Sequence, residues 1–264
     1  MDRTRVALTI AGSDPSGGAG IQSDLKTFSR LRVYGMAVIA ALTAQNTEGV
    51  SGVASVEPEF VSMQLDAVLS DIPPDATKTG MLSTPEIVEA VAGKIHQYRV
   101  RNLVVDPVIV STSGTPLLDS KAIDVFRRIL LPQAFIITPN LDEARALTGK
   151  PIDTVEDMEE AALRIHGLGA ANVFIKGGHG KGDEITDVFF DGSNFTHLRA
   201  PRIGSRSTHG TGCVLSAAIT AYLGLGKPAG EAIQLGKDFV TEAIRNGLTL
   251  GKGIGPCDPL SLGG

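Results

Sequence analysis

The sequence has few of the features that mark secreted, membrane or nucleic-acid-binding proteins. Only two of its 264 residues are cysteines, Cys213 and Cys257, so it has no disulfide framework and a reducing cytoplasm is the expected compartment. Its longest apolar run, at 36–42, is far shorter than the roughly 20 residues that cross a bilayer, and the N-terminus shows no signal-peptide cleavage pattern. A net charge of −5 without any Lys/Arg cluster argues against a nucleic-acid partner.

Short β-branched runs alternate with helical periods along the chain, which predicts βαβ units and a mainly parallel sheet. The pattern predicts strands at 6–11, 102–106, 135–138 and 173–176, and a hairpin of 186–190 with 195–198 around Asp191-Gly192. Helices are predicted at 21–32, from Pro58 onward, and at 85–98, 141–148, 155–167, 212–223 and 231–246. Because no linker, charge block or repeat interrupts the pattern, residues 1–264 are expected to form a single domain.

Polar residues collect at the predicted carboxyl ends of the strands, where ligands bind to open parallel sheets. These residues are Gly12 and Asp14, Asp106, Thr138 and Asn140, and Lys176. Four strands that end in this way predict one shared site.

The most informative local segment is His209-Gly210-Thr211-Gly212-Cys213, which leads into an apolar helix. Two glycines before a helix allow backbone N–H groups to converge on an anion, although a tight turn with a glycine N-cap explains the same pattern equally well. A Walker A loop is excluded because no Gly-Lys pair precedes Ser or Thr, and the glycines at 18–20 only approach a dinucleotide fingerprint.

Two charged residues, Lys237 and Asp24, lie along the apolar stripes of predicted helices. Lys237 is as consistent with a side chain that reaches for water as with phosphate binding, and Asp24 is open to the same interpretation. The five histidines lack metal-ligand spacing, so most are expected to be surface or capping residues.

The whole chain resembles the hydroxymethylpyrimidine/phosphomethylpyrimidine kinases, the thiamine-pathway branch of the ribokinase-like family. Seven motifs carry the resemblance in the family's order: ALTIAGSDPSGGAGIQSDLKTF at 7–28, TAQNT at 43–47, KTGML at 78–82, VVDPV at 104–108, ITPNLDEA at 137–144, VFIKGGH at 173–179 and STHGTGCVLSAA at 207–218. The resemblance implies a ribokinase-like α/β fold, in which helices flank a mainly parallel central sheet in three α/β/α layers.

The resemblance also implies a reaction and its cofactors, ATP and Mg²⁺. The γ-phosphoryl group of ATP would pass to 4-amino-5-hydroxymethyl-2-methylpyrimidine and then, in a second reaction, to its monophosphate. The amides of Gly210, Thr211, Gly212 and Cys213 would form the anion hole for the moving phosphoryl group. Lys176, Lys237, Asn140 and Thr208 would bind ATP, and Asp106 and Glu143 would hold Mg²⁺ directly or through water.

For the pyrimidine, the resemblance implies contacts with Gln45, Gly12, Asp24, Met81 and Val108. The amide of Gln45 can accept from the exocyclic amine and donate to the adjacent ring nitrogen. Cys213 stands where sugar kinases of the superfamily place an aspartate base. A thiol at a helix N-terminus near lysine is expected to have a depressed pKa, so Cys213 is a candidate general base, with a packing role as the alternative.

Several alternatives stay open at this point. A pyridoxal kinase or an enzyme that accepts both substrates is the main rival, a kinase for the monophosphate alone is another, and a non-catalytic pyrimidine-binding protein is the least favoured. The expected partners are small molecules, with no nucleic acid and no membrane. A homodimer fits the family, although no interface is evident in the sequence.

Overall fold

The structure is a computed structural model that describes residues 3–109, 120–178 and 183–261. Within these residues, one sheet of nine strands forms the centre of the molecule, in the order β3-β2-β1-β4-β5-β6-β7-β8-β9. The strands are β1 (Val6–Ser13), β2 (Tyr34–Asn46), β3 (Gly49–Ser55), β4 (Ala76–Thr79), β5 (Leu103–Val105), β6 (Ile136–Ile137), β7 (Asn172–Ile175), β8 (Glu184–Phe190) and β9 (Phe195–Pro201).

The sheet is parallel through its middle and antiparallel at both edges. Strands β2, β1, β4, β5, β6 and β7 pair in parallel, while β3 pairs antiparallel with β2, and β8 and β9 extend the other edge as an antiparallel hairpin. The carboxyl ends of the six parallel strands therefore meet at one edge of the sheet, which confirms the mainly parallel arrangement predicted from the sequence.

Helices connect and cover the strands. They are α1 (Gly20–Arg30), α2 (Pro58–Asp71), α3 (Pro85–Gln97), α4 (Ser120–Val125), α5 (Leu141–Thr148), α6 (Val155–Gly167), α7 (Thr211–Gly224) and α8 (Ala229–Arg245), with π and 3₁₀ turns at Phe126–Leu130 and Leu131–Gln133 after α4. Proline in the first turn starts α2 and α3, and the side chains of Asn140 and Thr154 cap α5 and α6 within capping boxes. None of the helices in the described residues is long and apolar enough to cross a membrane.

Alternating strand residues pack on opposite faces of the sheet. Val105 and Ile137 join the core formed with α2, α3, α5 and α6, whereas their neighbours Val104 and Ile136 join the core formed with α7 and α8. Both faces are thus covered, which is why these short strands are apolar at every position. This arrangement is the three-layer α/β/α sandwich predicted from the sequence.

Three strands were not predicted, and each departs from the usual pattern. The first half of β2 is the apolar run at 36–42, but its second half is largely exposed and pairs with the Gly- and Ser-rich β3. β4 has the polar sequence Ala-Thr-Lys-Thr although all four residues are buried. Hydrophobic periodicity cannot identify a strand whose buried side chains are polar.

Candidate active site

A lysine–carboxylate cluster lies where β5, β6 and β7 end. Lys176, just after β7, places its Nζ 3.0 Å from Oδ1 of Asp106, just after β5. Thr138, after β6, donates to the same Oδ1 at 3.0 Å, and Ser216 of α7 donates to Oδ2 at 3.1 Å. The structure thus brings three of the predicted strand-end residues together, while the contribution of Ser216 was missed because helical periodicity places it in the core.

Glu143 lies at the edge of this cluster, with its Oε2 3.9 Å from Lys176 Nζ. It also closes the capping box of α5, because Asn140 N donates to Glu143 Oε2 at 2.7 Å and Glu143 N donates to Asn140 Oδ1 at 2.9 Å. Burial, offset only partly by Lys176, raises the pKa of Glu143 to about 7. Burial disfavours the charge on Lys176, but Asp106 and Glu143 raise its pKa above the ordinary value.

The donor atoms around Lys176 fit a magnesium ion that is shared with phosphates. Two carboxylates, from Asp106 and Glu143, converge on one ammonium, and carboxylate oxygens are the ligands that Mg²⁺ prefers. The described residues contain no group of three or more His, Cys, Asp or Glu side chains that could by itself hold a metal ion. A Mg²⁺ site that takes its remaining ligands from substrate phosphates and water does not need such a cluster.

The glycine segment at the start of α7 adjoins this cluster. Gly210 is the N-cap with φ +79°, and a side chain on it would overlap the backbone of Gly18. A Cβ on Gly212 would lie 3.6 Å from Lys176 Nζ and 3.8 Å from Asp106 Oδ2. The first N–H groups of α7, which have no partner within the helix, are therefore next to the lysine and the carboxylate. This geometry favours an anion site over a simple tight turn.

Cys213 lies in the first turn of α7 and is only partly exposed. The prediction that its pKa is depressed is wrong. Burial raises the pKa of the Cys213 thiol to about 11. The nearby Lys78 lowers this pKa, but the carboxylates of Asp24 and Asp106 oppose its effect. The thiol is therefore neutral at pH 7, and a role as general base stays a prediction that requires this pKa to fall when ligands bind.

Gln45, near the end of β2, lies beside the same glycine segment through His209. Its amide nitrogen is 3.4 Å from His209 Nε2, and its amide oxygen is 3.1 Å from Thr43 Oγ1. His209 Nε2 lies 2.9 Å from Oδ2 of Asp14, and both residues are buried. The expectation that most histidines are surface or capping residues does not extend to His209, and its position directly before Gly210 was the available signal.

Two of the predicted pocket residues, Gly12 and Met81, are in contact with each other. A Cβ on Gly12, which lies in β1, would be 3.3 Å from the sulfur of Met81, which is buried after β4. Val108 is part-exposed and lines a small apolar recess with Gly80, Leu82 and Ile109. Gly12, Met81 and Gln45 do not line this recess, so the structure does not bring Val108 together with the other predicted pocket residues there.

The structure differs from the predicted contact of Asp24 with the substrate. Asp24 is completely buried, and its two oxygens accept from Thr9 Oγ1 at 2.6 Å and Lys78 Nζ at 2.7 Å. The carboxylate therefore holds the buried Lys78 inside the sheet–helix layer and does not reach the pocket surface. Lys78 was not predicted as a buried ion-pair partner, because a lysine between two threonines carries no apolar signal.

The ammonium of Lys237, which was predicted to bind ATP, is engaged by protein groups. Lys237 is buried, and its ammonium pairs with Asp187 and donates to the carbonyl oxygen of Leu198 at 3.2 Å. Asp187 in turn accepts from the backbone N–H of Gly177 at 2.8 Å. Thr208 contributes its carbonyl oxygen to Thr211 N at 3.4 Å. Their ATP contacts stay predictions.

A parallel sheet whose strand ends present a lysine, two carboxylates and the glycine-opened N-terminus of a helix defines a phosphoryl-transferring α/β protein. A family model described as phosphomethylpyrimidine kinase matches residues 14–258. The chain belongs to the phosphomethylpyrimidine kinase family, and it is 46% identical over 251 residues to the hydroxymethylpyrimidine/phosphomethylpyrimidine kinase of Bacillus subtilis, covering 95% of this chain and 93% of that protein. It is also 52% identical over 249 residues to the thiamine biosynthesis bifunctional protein ThiED of Geobacter sulfurreducens. This match covers 94% of this chain but only 51% of the length of ThiED.

Solved structures agree with this assignment and show that the fold is ribokinase-like. The ADP complex of Bacillus subtilis pyridoxal kinase matches with a TM-score of 0.92 and 41% identity over 98% of this chain and 99% of that chain. The phosphomethylpyrimidine kinase of Clostridium difficile matches with a TM-score of 0.82 and 45% identity over 91% of this chain and 100% of that one.

Proposed function

We propose that this protein uses ATP to phosphorylate the hydroxymethyl group of 4-amino-5-hydroxymethyl-2-methylpyrimidine, and then phosphorylates the resulting monophosphate. The observation that carries the proposal is the position of the segment His209–Cys213. Its first residue contacts Gln45, which can read an aminopyrimidine, and its fourth residue, Gly212, lies beside Lys176 and Asp106. The segment His209–Cys213 thus links the Gln45 amide, which would pair with the pyrimidine, to the proposed anion site.

The proposed roles follow from chemistry at named atoms. The N–H groups at the start of α7 bind the oxygens of the moving phosphoryl group, and the Lys176 ammonium neutralises their charge. Asp106 and Glu143 would hold Mg²⁺, which would offset charge on the phosphates. Positioning of the hydroxymethyl oxygen and charge stabilisation then supply most of the rate, because phosphoryl transfer needs little covalent help from the protein.

In the proposed mechanism, Lys237 holds the segment after Lys176 in place and does not bind phosphate itself. Its ion pair with Asp187 and the bond from Gly177 N to Asp187 tie α8 to the residue that follows Lys176. Asn140 likewise acts through Glu143, whose carboxylate it fixes by the capping box.

Pyridoxal phosphorylation is the second candidate, because the fold matches pyridoxal kinase with a TM-score of 0.92. Gln45 favours the aminopyrimidine, because pyridoxal lacks an amine beside a ring nitrogen. We also propose that residues 1–264 form one kinase domain, as the single described sheet supports, and that the protein works in a reducing compartment such as the cytoplasm, with which its two free cysteines agree. A homodimer stays a prediction.

A coupled assay of ADP release tests the proposal with hydroxymethylpyrimidine, its monophosphate and pyridoxal as acceptors. We expect ADP release with both pyrimidines and a lower kcat/KM for pyridoxal. Gln45→Leu should raise KM for hydroxymethylpyrimidine by an amount equivalent to about 1–3 kcal/mol, because the buried amine and ring nitrogen lose their partner, and should leave KM for ATP unchanged. Turnover of pyridoxal alone would overturn the proposal.

A further inference from the structure

The hydrogen bonds around Gln45 determine which way its amide faces. Asp14 is buried, and its carboxylate accepts from Ser16 N at 2.8 Å, Ser16 Oγ at 2.7 Å and Ala19 N at 2.9 Å. Burial disfavours its charge, but the hydrogen bonds from His209 and Ser16 hold the pKa of Asp14 below the ordinary value. An ionised carboxylate only accepts hydrogen bonds, so the contact of 2.9 Å to His209 requires a hydrogen on Nε2.

That hydrogen decides what His209 can offer to Gln45. A protonated Nε2 has no free lone pair, whether the imidazole is neutral or charged, so it cannot accept from an amide N–H. Because that single hydrogen is already donated to Asp14 at 2.9 Å, Gln45 can only share it, and only an acceptor can do so. The group of Gln45 that faces His209 at 3.4 Å is therefore its amide oxygen, since an NH₂ group would place its own hydrogens against the Nε2–H.

Thr43, on the other side of the amide, is compatible with this orientation. Its hydroxyl has one hydrogen and lies 3.1 Å from the carbonyl oxygen of Ser13, which can only accept. The Gln45 amide lies at the same distance, 3.1 Å, so the hydroxyl hydrogen can go to either neighbour. When Ser13 takes it, the lone pairs of Thr43 Oγ1 accept from the NH₂ group of Gln45. A half-turn of the amide about its last side-chain bond satisfies both neighbours at once, and hydrogen-bond partners are the evidence from which such orientations are assigned.

We infer that His209, held by Asp14, is a positioning residue that locks the amide of Gln45 with its oxygen towards the glycine segment and its nitrogen towards Thr43. This inference rests on the proposed pairing of Gln45 with the pyrimidine. One lone pair of the oxygen and one N–H of the nitrogen remain on the outer edge of the amide, and these match an amine and the adjacent ring nitrogen.

The locked amide also sets the direction in which the substrate lies. The amine must be on the His209 side and the ring nitrogen on the Thr43 side. In 4-amino-5-hydroxymethyl-2-methylpyrimidine the hydroxymethyl group is attached next to the amine-bearing carbon, and the methyl group lies beyond the ring nitrogen. The lock therefore turns the hydroxymethyl group towards Gly210–Cys213, where the phosphoryl group is to be transferred, and the reverse orientation would turn it away.

The test uses an analogue in which a carbonyl replaces the amine at the same ring carbon. Its ring edge presents an acceptor and an N–H donor, the reverse of the natural pattern, so it requires the opposite amide orientation. The quantity to measure is the ratio of kcat/KM for the amino compound to kcat/KM for the oxo compound. We expect wild type to prefer the amino compound strongly, because a site built to hydrogen-bond one pattern leaves buried groups unpaired with the other. His209→Phe should lower this ratio at least about tenfold, mainly through a gain by the oxo compound.

Matched variants separate positioning from a structural role. His209→Gln retains an N–H near the position of Nε2 and should restore most of the ratio. Thr43→Val removes the other lock while conserving shape, and should lower the ratio even if His209→Phe fails to fold. His197→Phe removes a histidine–carboxylate contact of 2.9 Å to Glu159 outside the site and should not change the ratio.

The outcomes distinguish the inference from the proposed function. If wild type phosphorylates neither the amino compound nor its monophosphate, the proposed function fails and the inference fails with it. If wild type uses the amino compound but His209→Phe or Thr43→Val slows both substrates by equal factors, the inference alone is overturned. A fall in the ratio with KM for ATP unchanged supports it.

Discussion

Two lysine–aspartate pairs lie on the same side of the sheet but in different surroundings. Lys78 and Asp24 form a pair of 2.7 Å in which both side chains are 0% exposed. Lys176 and Asp106 form a pair of 3.0 Å with side chains 16% and 3% exposed, beside Glu143 and the N-terminus of α7. The chemical groups are the same, but only the second pair can meet a ligand. Access, more than the presence of charge, separates a structural lysine from a functional one.

The largest expected effect on activity comes from the accessible pair. Lys176→Met removes the ammonium that we propose neutralises the transferred phosphoryl group, so kcat should fall on the order of 10²–10³-fold, as for the loss of one oxyanion-stabilising donor. Steady-state kinetics with hydroxymethylpyrimidine measures this, and circular dichroism checks the fold. Lys227→Met is the matched control, because Lys227 pairs with Glu231 on the surface at 2.7 Å, and it should have almost no effect. An equal kcat for Lys176→Met and Lys227→Met would show that Lys176 does not act in the reaction.

Substitutions in the buried pair, Lys78 and Asp24, should lower stability more than activity. Lys78→Met leaves Asp24 buried without its partner, so the free energy of unfolding should fall by about 3–5 kcal/mol. Urea denaturation measures this loss. The double variant Lys78→Met, Asp24→Asn should recover much of it, because no buried charge is then left unpaired. If Lys78→Met keeps full stability and loses activity, Lys78 belongs to the site and the comparison fails.

Glu143 gives the accessible cluster a dependence on pH. Its pKa is raised from 4.5 to about 7, so the folded state holds this proton more tightly than the unfolded state. The corresponding stability is fully present below pH 4.5 and is lost as the pH rises through 7. Glu143→Gln, which keeps a carbonyl oxygen for Asn140 N, should remove this loss, so between acidic and neutral pH the variant should gain about 1–3 kcal/mol relative to wild type. Denaturation curves across this range measure the difference. Glu86→Gln, on an exposed position, is the matched control. A stability difference between Glu143→Gln and wild type that stays constant across this pH range would contradict the raised pKa of Glu143.

The smallest expected effect concerns Cys213, which lies near both pairs. With a thiol pKa of about 11, only a small fraction is ionised at neutral pH. Alkylation by iodoacetamide should therefore be slow at pH 7 and speed up about tenfold for each pH unit up to about pH 10, because the thiolate is the nucleophile. Mass spectrometry locates the label, and Cys213→Ser gives the background from Cys257. A rate that has already levelled off near pH 7 would show a depressed pKa and restore the thiolate base.

Particular residues show how far the sequence leads. Asp106, Thr138 and Lys176 were found because parallel strands deliver their last residues to one edge of the sheet. β4 and Lys78 were missed because buried polar residues break the apolar pattern from which strands are predicted. The roles of Asp24 and Lys237 differ because their partners, Lys78 and Asp187, are 54 and 50 residues away in the chain. The thiol of Cys213 was misjudged because a helix N-terminus is visible in a sequence and the burial of a side chain is not.

Phosphorus NMR of the products formed from ATP and hydroxymethylpyrimidine tests directly whether the protein phosphorylates the pyrimidine and then its monophosphate. We expect the signal of a monophosphate ester to appear first and then to be replaced by that of a diphosphate, because the first product is the second substrate. With pyridoxal in place of the pyrimidine, the phosphate ester should form much more slowly. A phosphate ester formed from pyridoxal, together with no phosphorylated pyrimidine, would contradict the proposed pyrimidine kinase activity.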